Sequence, residues 1–216
     1  MRRLVVRLFD ECDVPIEELY YLRKTAFSQW AEDGLDISEV NVPLDRFTRY
    51  LKDKTVFVAH DATTGVLLAI HVWKLNSRKR CAIGSNLAVD PYARREGIAS
   101  QMLQEEIDWL RREGYRFLNG ATAIPARWSV RWHLKNGYYI VGYSRNEWNN
   151  YASYIFRKQI AIDVKHHPSE LLWMRPIAPF TAKMQFAVSY IAIIICKRKS
   201  GQLNWLGRVV KKIIRK

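Results

Sequence analysis

Two arginines, a glycine and a series of backbone amides make up the most chemically suggestive stretch of this chain. Residues 87–99 read Leu-Ala-Val-Asp-Pro-Tyr-Ala-Arg-Arg-Glu-Gly-Ile-Ala. The pattern is an apolar strand, a tight turn and the start of a helix. Arg94, Arg95 and Glu96 lead into Gly97, where a side chain would block close approach. A helix start has N–H groups without intrahelical partners and carries the positive end of the helix dipole. With arginine nearby it suits a phosphate or pyrophosphate. Ile98, Ala99 and Ser100 open that helix, so they supply its first amides and one hydroxyl. A ligand with a phosphorylated end is therefore expected.

Hydrophobic periodicity supplies the elements around this turn. Residues 4–9 read as a strand, and Pro15 with Glu17 and Glu18 opens a helix running toward Trp30. A short helix is expected over 44–51. Two strands, 55–59 and 66–73, are joined by a turn at Thr63-Thr64-Gly65, and a third covers 82–89. After Gly97, Ala99, Leu103, Ile107 and Leu110 recur at helical spacing as one buried stripe, with Gln101, Gln104, Glu105, Asp108 and Arg111 toward water. Gly114 stops that helix. A strand at 117–124, a helix at 127–135 ending before Gly137, and strands at 139–143 and 151–156 complete the order β-α-α-β-β-β-α-β-α-β-β. The fold class is mixed α/β (α+β).

The turn resembles the acyl-CoA-binding motif of the Gcn5-related N-acetyltransferase (GNAT) superfamily, Arg/Gln-x-x-Gly-x-Gly/Ala after a strand ending in Val-x-Pro. Arg94, Gly97 and Ala99 fill the motif, and Val89-Asp90-Pro91 the strand end. A second stretch, residues 126–138, resembles the family's Asn-x-x-Ala/Ser-x-x-Leu-Tyr-x-x-x-Gly-Phe, with Ser129, Gly137 and Tyr138 matching and Ala126 replacing the Asn. The resemblance spans about residues 3–160. It implies a GNAT-like central sheet of about seven strands flanked by helices, with an N-acyltransferase domain at 1–160 and an extension at 161–216.

The resemblance also implies a reaction: direct transfer of an acetyl (acyl) group from acetyl-CoA to a primary amine. The amides from Arg95 to Ala99 would take the pyrophosphate. Leu87, Ala88 and Val89 lie on a strand that splays from its neighbour in the family, so the backbone of Leu87 and Val89 would pair with the pantetheine amides. His133 stands four residues before Gly137, where many members carry a Tyr that protonates the CoA thiolate. An imidazole exchanges protons near neutrality, which makes His133 the candidate general acid. Where the family often places an acidic base in the fourth strand, this chain has Ser85 and Asn86. His71 and Glu147 are the substitutes at hand. A water relay or an already neutral amine would serve equally. Trp128, Trp132, Trp148, Tyr138 and Tyr143 would cluster toward the acceptor side, with at least half of them serving as ordinary core; the acceptor itself could be an amino sugar, a small amine or a peptide amine.

Composition limits the alternatives. The chain has 216 residues, 49% of them hydrophobic, which is enough for one sizeable core. Three widely spaced cysteines, Cys12, Cys81 and Cys196, suggest neither a disulfide framework nor a metal site, and Cys81 reads as a small buried hydrophobe. The first residues are too charged for a signal peptide, so a reducing cytoplasm is the default. The net charge is +14, and residues 164–216 contribute +10 of it, from eleven Lys/Arg and the single acid Glu170. Within that tail, residues 184–196 are uncharged but only 13 long, about 20 Å as a helix against a bilayer core of about 30 Å. At the end, Leu206, Val209, Val210, Ile213 and Ile214 would share one side of a helix, opposite Arg208, Lys211, Lys212, Arg215 and Lys216. Such a basic amphipathic helix at 203–216 suits an anionic membrane surface, or docks on its own domain. No nucleic-acid recognition module accompanies the charge. Two non-enzymatic readings remain beside the transferase: an acyl-CoA-binding module, or a peripheral membrane adaptor on the same fold.

Overall fold

The computed structural model describes residues 2–35, 41–145 and 151–161. Seven strands form one sheet: β1 (Leu4–Leu8), β2 (Thr55–Asp61), β3 (Leu67–Asn76), β4 (Cys81–Val89), β5 (Phe117–Ala123), β6 (Tyr139–Arg145) and β7 (Ala152–Gln159). Their spatial order is β1-β2-β3-β4-β5-β7-β6. Every neighbouring pair is antiparallel except β4–β5, which is parallel. Helices α1 (Ile16–Glu32), α2 (Leu44–Leu51), α3 (Ile98–Arg112) and α4 (Arg127–Lys135) flank the sheet. The element order is the one the periodicity gives. Strands β3 and β7 run three residues further than expected, because cross-strand partners extend them beyond their apolar stretches.

Two cores cover the two faces. On one, Leu19 and Ala26 of α1 and Phe47 and Leu51 of α2 pack on Val56, Val58, Ile70, Val72 and Ala88. On the other, Ile98, Met102, Leu103, Ile107 and Leu110 of α3 pack on Phe57, Ala69, Trp73, Ala82, Leu118 and Phe156. Each such large side chain contributes about 1.5–3 kcal/mol by leaving water. The expected α3 stripe needs correction: Ala99 is only half-buried, and Met102 and Glu106 join the buried face. The α1 stripe likewise holds a charged residue, since Leu19, Arg23 and Ala26 are its buried positions. Cys81 is buried, its thiol pKa raised by desolvation, and it accepts a hydrogen bond from Asn119 Nδ2 at 3.0 Å. No helix among the described residues is long and apolar enough to cross a membrane. The tail from residue 162, including the expected basic helix and Cys196, lies outside the described residues, as do Glu147 and Trp148.

Candidate active site

The central strands part where the sequence motif begins. β4 pairs with β5 only through Cys81, Ala82 and Ile83, opposite Phe117, Leu118 and Asn119. Beyond Ile83 the two strands have no registered partner in each other, and β5 continues on β7 alone. On its other side β4 stays on β3, with a register shift between Ile70 and Val72. Asn86 sits in that shift with a positive φ of 51°, the mark of a bulge. Asp90 N–H donates to Leu68 O of β3 at 2.8 Å. Backbone groups alternate sides along a strand, so those of Leu87 and Val89 face the gap toward β5 while those of Ala88 face β3.

At the wide end of the gap lies the turn. After Asp90 a single 3-10 turn covers Pro91–Ala93, closed by Asp90 Oδ1 accepting from Tyr92 N–H at 2.9 Å. Arg95 (φ 67°) and Gly97 (φ 82°) both adopt the left-handed conformation. This folds the backbone into a concave nest at the start of α3. Gly97 is the N-cap and offers no side chain to the helix. The N–H groups of Gly97, Ile98 and Ala99 have no acceptor among the described residues. Those three amides and the dipole of a 15-residue helix leave free donors at a positive helix end, an arrangement that suits an anion.

The side chains around the nest hold it rather than line it. Arg94 donates to Gln29 Oε1 and to the carbonyl of Ala26, both on α1, so its guanidinium ties the turn to that helix. Glu96 pairs with Arg2 at 3.1 Å, and Arg2 also reaches Asp61 at 3.2 Å. Ser100 Oγ accepts from Trp132 Nε1 of α4 at 3.2 Å and keeps its own hydrogen to donate.

His133 lies on α4 beside the vertex of the gap. Its ring is mostly buried, stacked 4.5 Å from Phe156 and edge-on to Trp132 and Tyr138. Nδ1–H donates to Ser129 O at 2.8 Å, leaving Nε2 as the bare nitrogen. Desolvation lowers its pKa to about 4; the Ser129 carbonyl raises it, and a repulsive contribution from His71 lowers it further. At neutral pH the ring is therefore uncharged and has no proton at Nε2 to give a thiolate. Tyr138, buried beside it, has its phenol pKa pushed up by desolvation and by the charge of Glu106.

A second imidazole lies nearby. His71, 5% exposed, shares a 2.8 Å contact between Nδ1 and Oε2 of Glu106, which is 0% exposed. The periodicity of α3 hides Glu106; the visible signal was a charge at the spacing Met102–Glu106–Leu110. Two glycines accommodate the two rings. A Cβ on Gly84 would stand 2.9 Å from His71 Nε2, and one on Gly120 would stand 3.4 Å from His133 Nε2. Gly84 and Gly120 are the first residues past the last β4–β5 pair, so both imidazoles lie at the vertex of the gap.

The opposite face has a different network. Arg23, 3% exposed and flanked by Phe27 and Phe47, donates from Nε to Asn86 Oδ1 at 2.7 Å. Asn86 Nδ2 donates to Tyr50 Oη at 3.1 Å, and Tyr50 shares a 2.7 Å hydrogen bond with Ser85 Oγ. Ser85 and Asn86, where the resembled family often carries an acidic base, are thus tied to α1 and α2. The expected aromatic cluster divides: Trp132 and Tyr138 lie beside His133, whereas the half-exposed Trp128 meets Trp30 edge-on at 5.2 Å. Among the described residues no group of three or more His, Cys, Asp or Glu is placed to hold a metal.

Comparison with known proteins identifies the class. The model of the acetyltransferase (GNAT) family matches residues 16–138, more than half of the chain. The chain belongs to the acetyltransferase (GNAT) family. No curated protein matches it by sequence. Solved structures share the fold. A ribosomal-protein-alanine N-acetyltransferase from Escherichia coli aligns with a TM-score of 0.58 at 14% identity, over 76% of this chain and 100% of its own. A spermidine N-acetyltransferase chimera from Vibrio cholerae gives 0.59 at 13%, over 73% and 95%. A GCN5-related N-acetyltransferase from Kribbella flavida gives 0.56 at 17%, over 72% and 97%.

Proposed function

We propose that this protein transfers an acetyl group from acetyl-CoA to a primary amine by direct attack. The observation that carries the reading is the unpartnered amides of Gly97, Ile98 and Ala99 at the open end of the β4–β5 gap. In this reading the nest of Arg95, Glu96, Gly97, Ile98 and Ala99 takes the pyrophosphate, and Arg94 holds the nest on α1. Ser100 adds a hydroxyl. The backbone of Leu87 and Val89 pairs with the pantetheine amides, while Ala88 anchors β4 in the core beneath. From Val89 back to Gly84 the strand covers about 16 Å, so the thioester would arrive at the vertex. There the amine nitrogen attacks the carbonyl carbon, the C–N bond forms, and collapse breaks the C–S bond. His133 is the imidazole on the β5 side of the leaving sulfur. Being neutral at rest, it can protonate the sulfur only after gaining a proton during turnover.

Thiol release from acetyl-CoA tests the reading, with a polyamine, a peptide α-amine, an amino sugar and an aromatic amine as acceptors. Release with at least one of them supports it. CoA binding with no release for any amine favours a non-catalytic acyl-CoA module, and no CoA binding removes the reading. The sequence of the tail supports a second proposal, that residues 203–216 bring the domain at 1–160 to an anionic membrane surface.

A further inference from the structure

We propose that His71, held by Glu106, is the proton carrier of the reaction, receiving a proton from the attacking amine at Nε2 and returning it to the departing sulfur. The inference rests on the acyl-transfer reading. Four features of one place support it. First, His71 lies where the β3–β4 register shifts, opposite the Asn86 bulge, so its ring is carried on the strand beside the opened edge. Second, its Nδ1 is fixed by a carboxylate at 2.8 Å. An imidazole fixed this way has one nitrogen committed and the other aimed, and the carboxylate stabilises the imidazolium formed in mid-reaction. Third, Nε2 faces Gly84 at the vertex, and the Gly84 backbone has no positive φ that would call for glycine. The missing side chain there makes room for the His71 ring and for the Trp73 ring beside it.

The fourth feature is an unsatisfied polar pair. Glu106 Oε1 and Trp73 Nε1 are both buried without a hydrogen-bond partner among the described residues. The Trp73 ring lies 4.3 Å from the His71 ring. A buried carboxylate oxygen without a partner costs several kcal/mol and is seldom kept for packing alone. A helix face meant only to fill the core would carry an apolar residue between Met102 and Leu110.

The proton balance closes without any further reactant. Attack leaves the nitrogen positively charged. His71 Nε2 accepts one N–H proton, the C–S bond breaks with its electron pair going to sulfur, and His71 returns that proton to the thiolate. The products are the amide and CoA thiol, and Glu106 remains a carboxylate throughout. Glu106 is accordingly a positioning residue. This also supplies the missing donor, because His133 has no proton to give at rest.

The experiment compares wild type with His71→Gln, Glu106→Gln and Gly84→Ala in the full chain, reading thiol release, CoA binding by calorimetry and thermal melting. His71→Gln is expected to lower kcat about 100-fold with CoA affinity within about twofold. Glu106→Gln keeps an acceptor for Nδ1–H but loses the charge. It should lower kcat roughly tenfold or more, leave KM for acetyl-CoA unchanged, and keep the melting temperature, since it removes a buried charge. Gly84→Ala leaves the His71 and Glu106 side chains in place but presses a methyl group on His71 Nε2 and on the Trp73 ring, so it should lower kcat, and its melting temperature is read alongside. Wild-type turnover with His71→Gln and Gly84→Ala both within about threefold of it overturns this inference alone. A wild type that binds no CoA or releases no thiol overturns the acyl-transfer reading instead.

Discussion

The two faces of the sheet meet at one bulge yet carry opposite chemistry. On the α3/α4 face, Glu106, His71, His133 and Tyr138 bring four titratable groups into the apolar core around the vertex. On the α1/α2 face, the buried cation Arg23 joins Asn86, Tyr50 and Ser85 in a hydrogen-bonded chain among the described residues. The titratable groups that a proton transfer needs stand together on the α3/α4 face. The strand positions that would carry an acidic base hold neutral residues fixed to α1 and α2. Under the proposed transfer, proton movement falls to the α3/α4 face.

The largest effect is expected at the nest, at the open end of the β4–β5 gap. Gly97→Val places a β-branched residue at φ 82° and fills the close approach. CoA affinity should fall at least about 100-fold. Retention of a cooperative melt checks that the loss is local.

A second perturbation separates the two imidazoles. The His133 pKa is about 4 in the folded chain against 6.5 for the free side chain, so between those values the unfolded chain binds more protons. Stability therefore rises with pH through this window. The contribution is complete above about pH 6.5 and is lost as pH falls toward 4. Between pH 7.5 and 5 wild type should lose about 2 kcal/mol from this residue. Denaturant melts of His133→Gln should lack that component. Its kcat should fall less than that of His71→Gln, and the reverse order would make His133 the proton carrier.

The same window shows what the sequence made legible. His133 was legible by its spacing from Gly137. Its charge state was not legible, because Phe156 lies 23 residues further along the chain and only the sheet brings its ring over the imidazole. His71 was visible as an imidazole on a strand but not as half of a pair, since Glu106 is 35 residues away on a helix whose apolar stripe concealed it. The nest was legible in full outline, because a strand, turn and helix start are local events with local residue signatures. Arg94 was legible as a motif residue, yet its attachment to Ala26 and Gln29 depends on the docking of α1.

On the α1/α2 face, effects should be smaller. Tyr50→Phe removes the link between Asn86 and Ser85, at about 1 kcal/mol. Steady-state kinetics should show the acceptor KM raised about fivefold with the KM for acetyl-CoA unchanged. An equal change in both would mean that this network supports the bulge rather than the acceptor. The tail should matter least to the chemistry. Deleting residues 203–216 should leave thiol release with soluble amines unchanged while abolishing flotation with anionic liposomes. Equal flotation of both forms would remove the membrane proposal.

Calorimetry of the full chain with CoA probes the nest most directly. The expected result is a saturable heat with one CoA per chain in the wild type, lost in Gly97→Val at unchanged folding. A wild type that gives no heat, or a Gly97→Val variant that binds CoA as tightly as wild type, would contradict the assignment of the Gly97, Ile98 and Ala99 amides to the pyrophosphate.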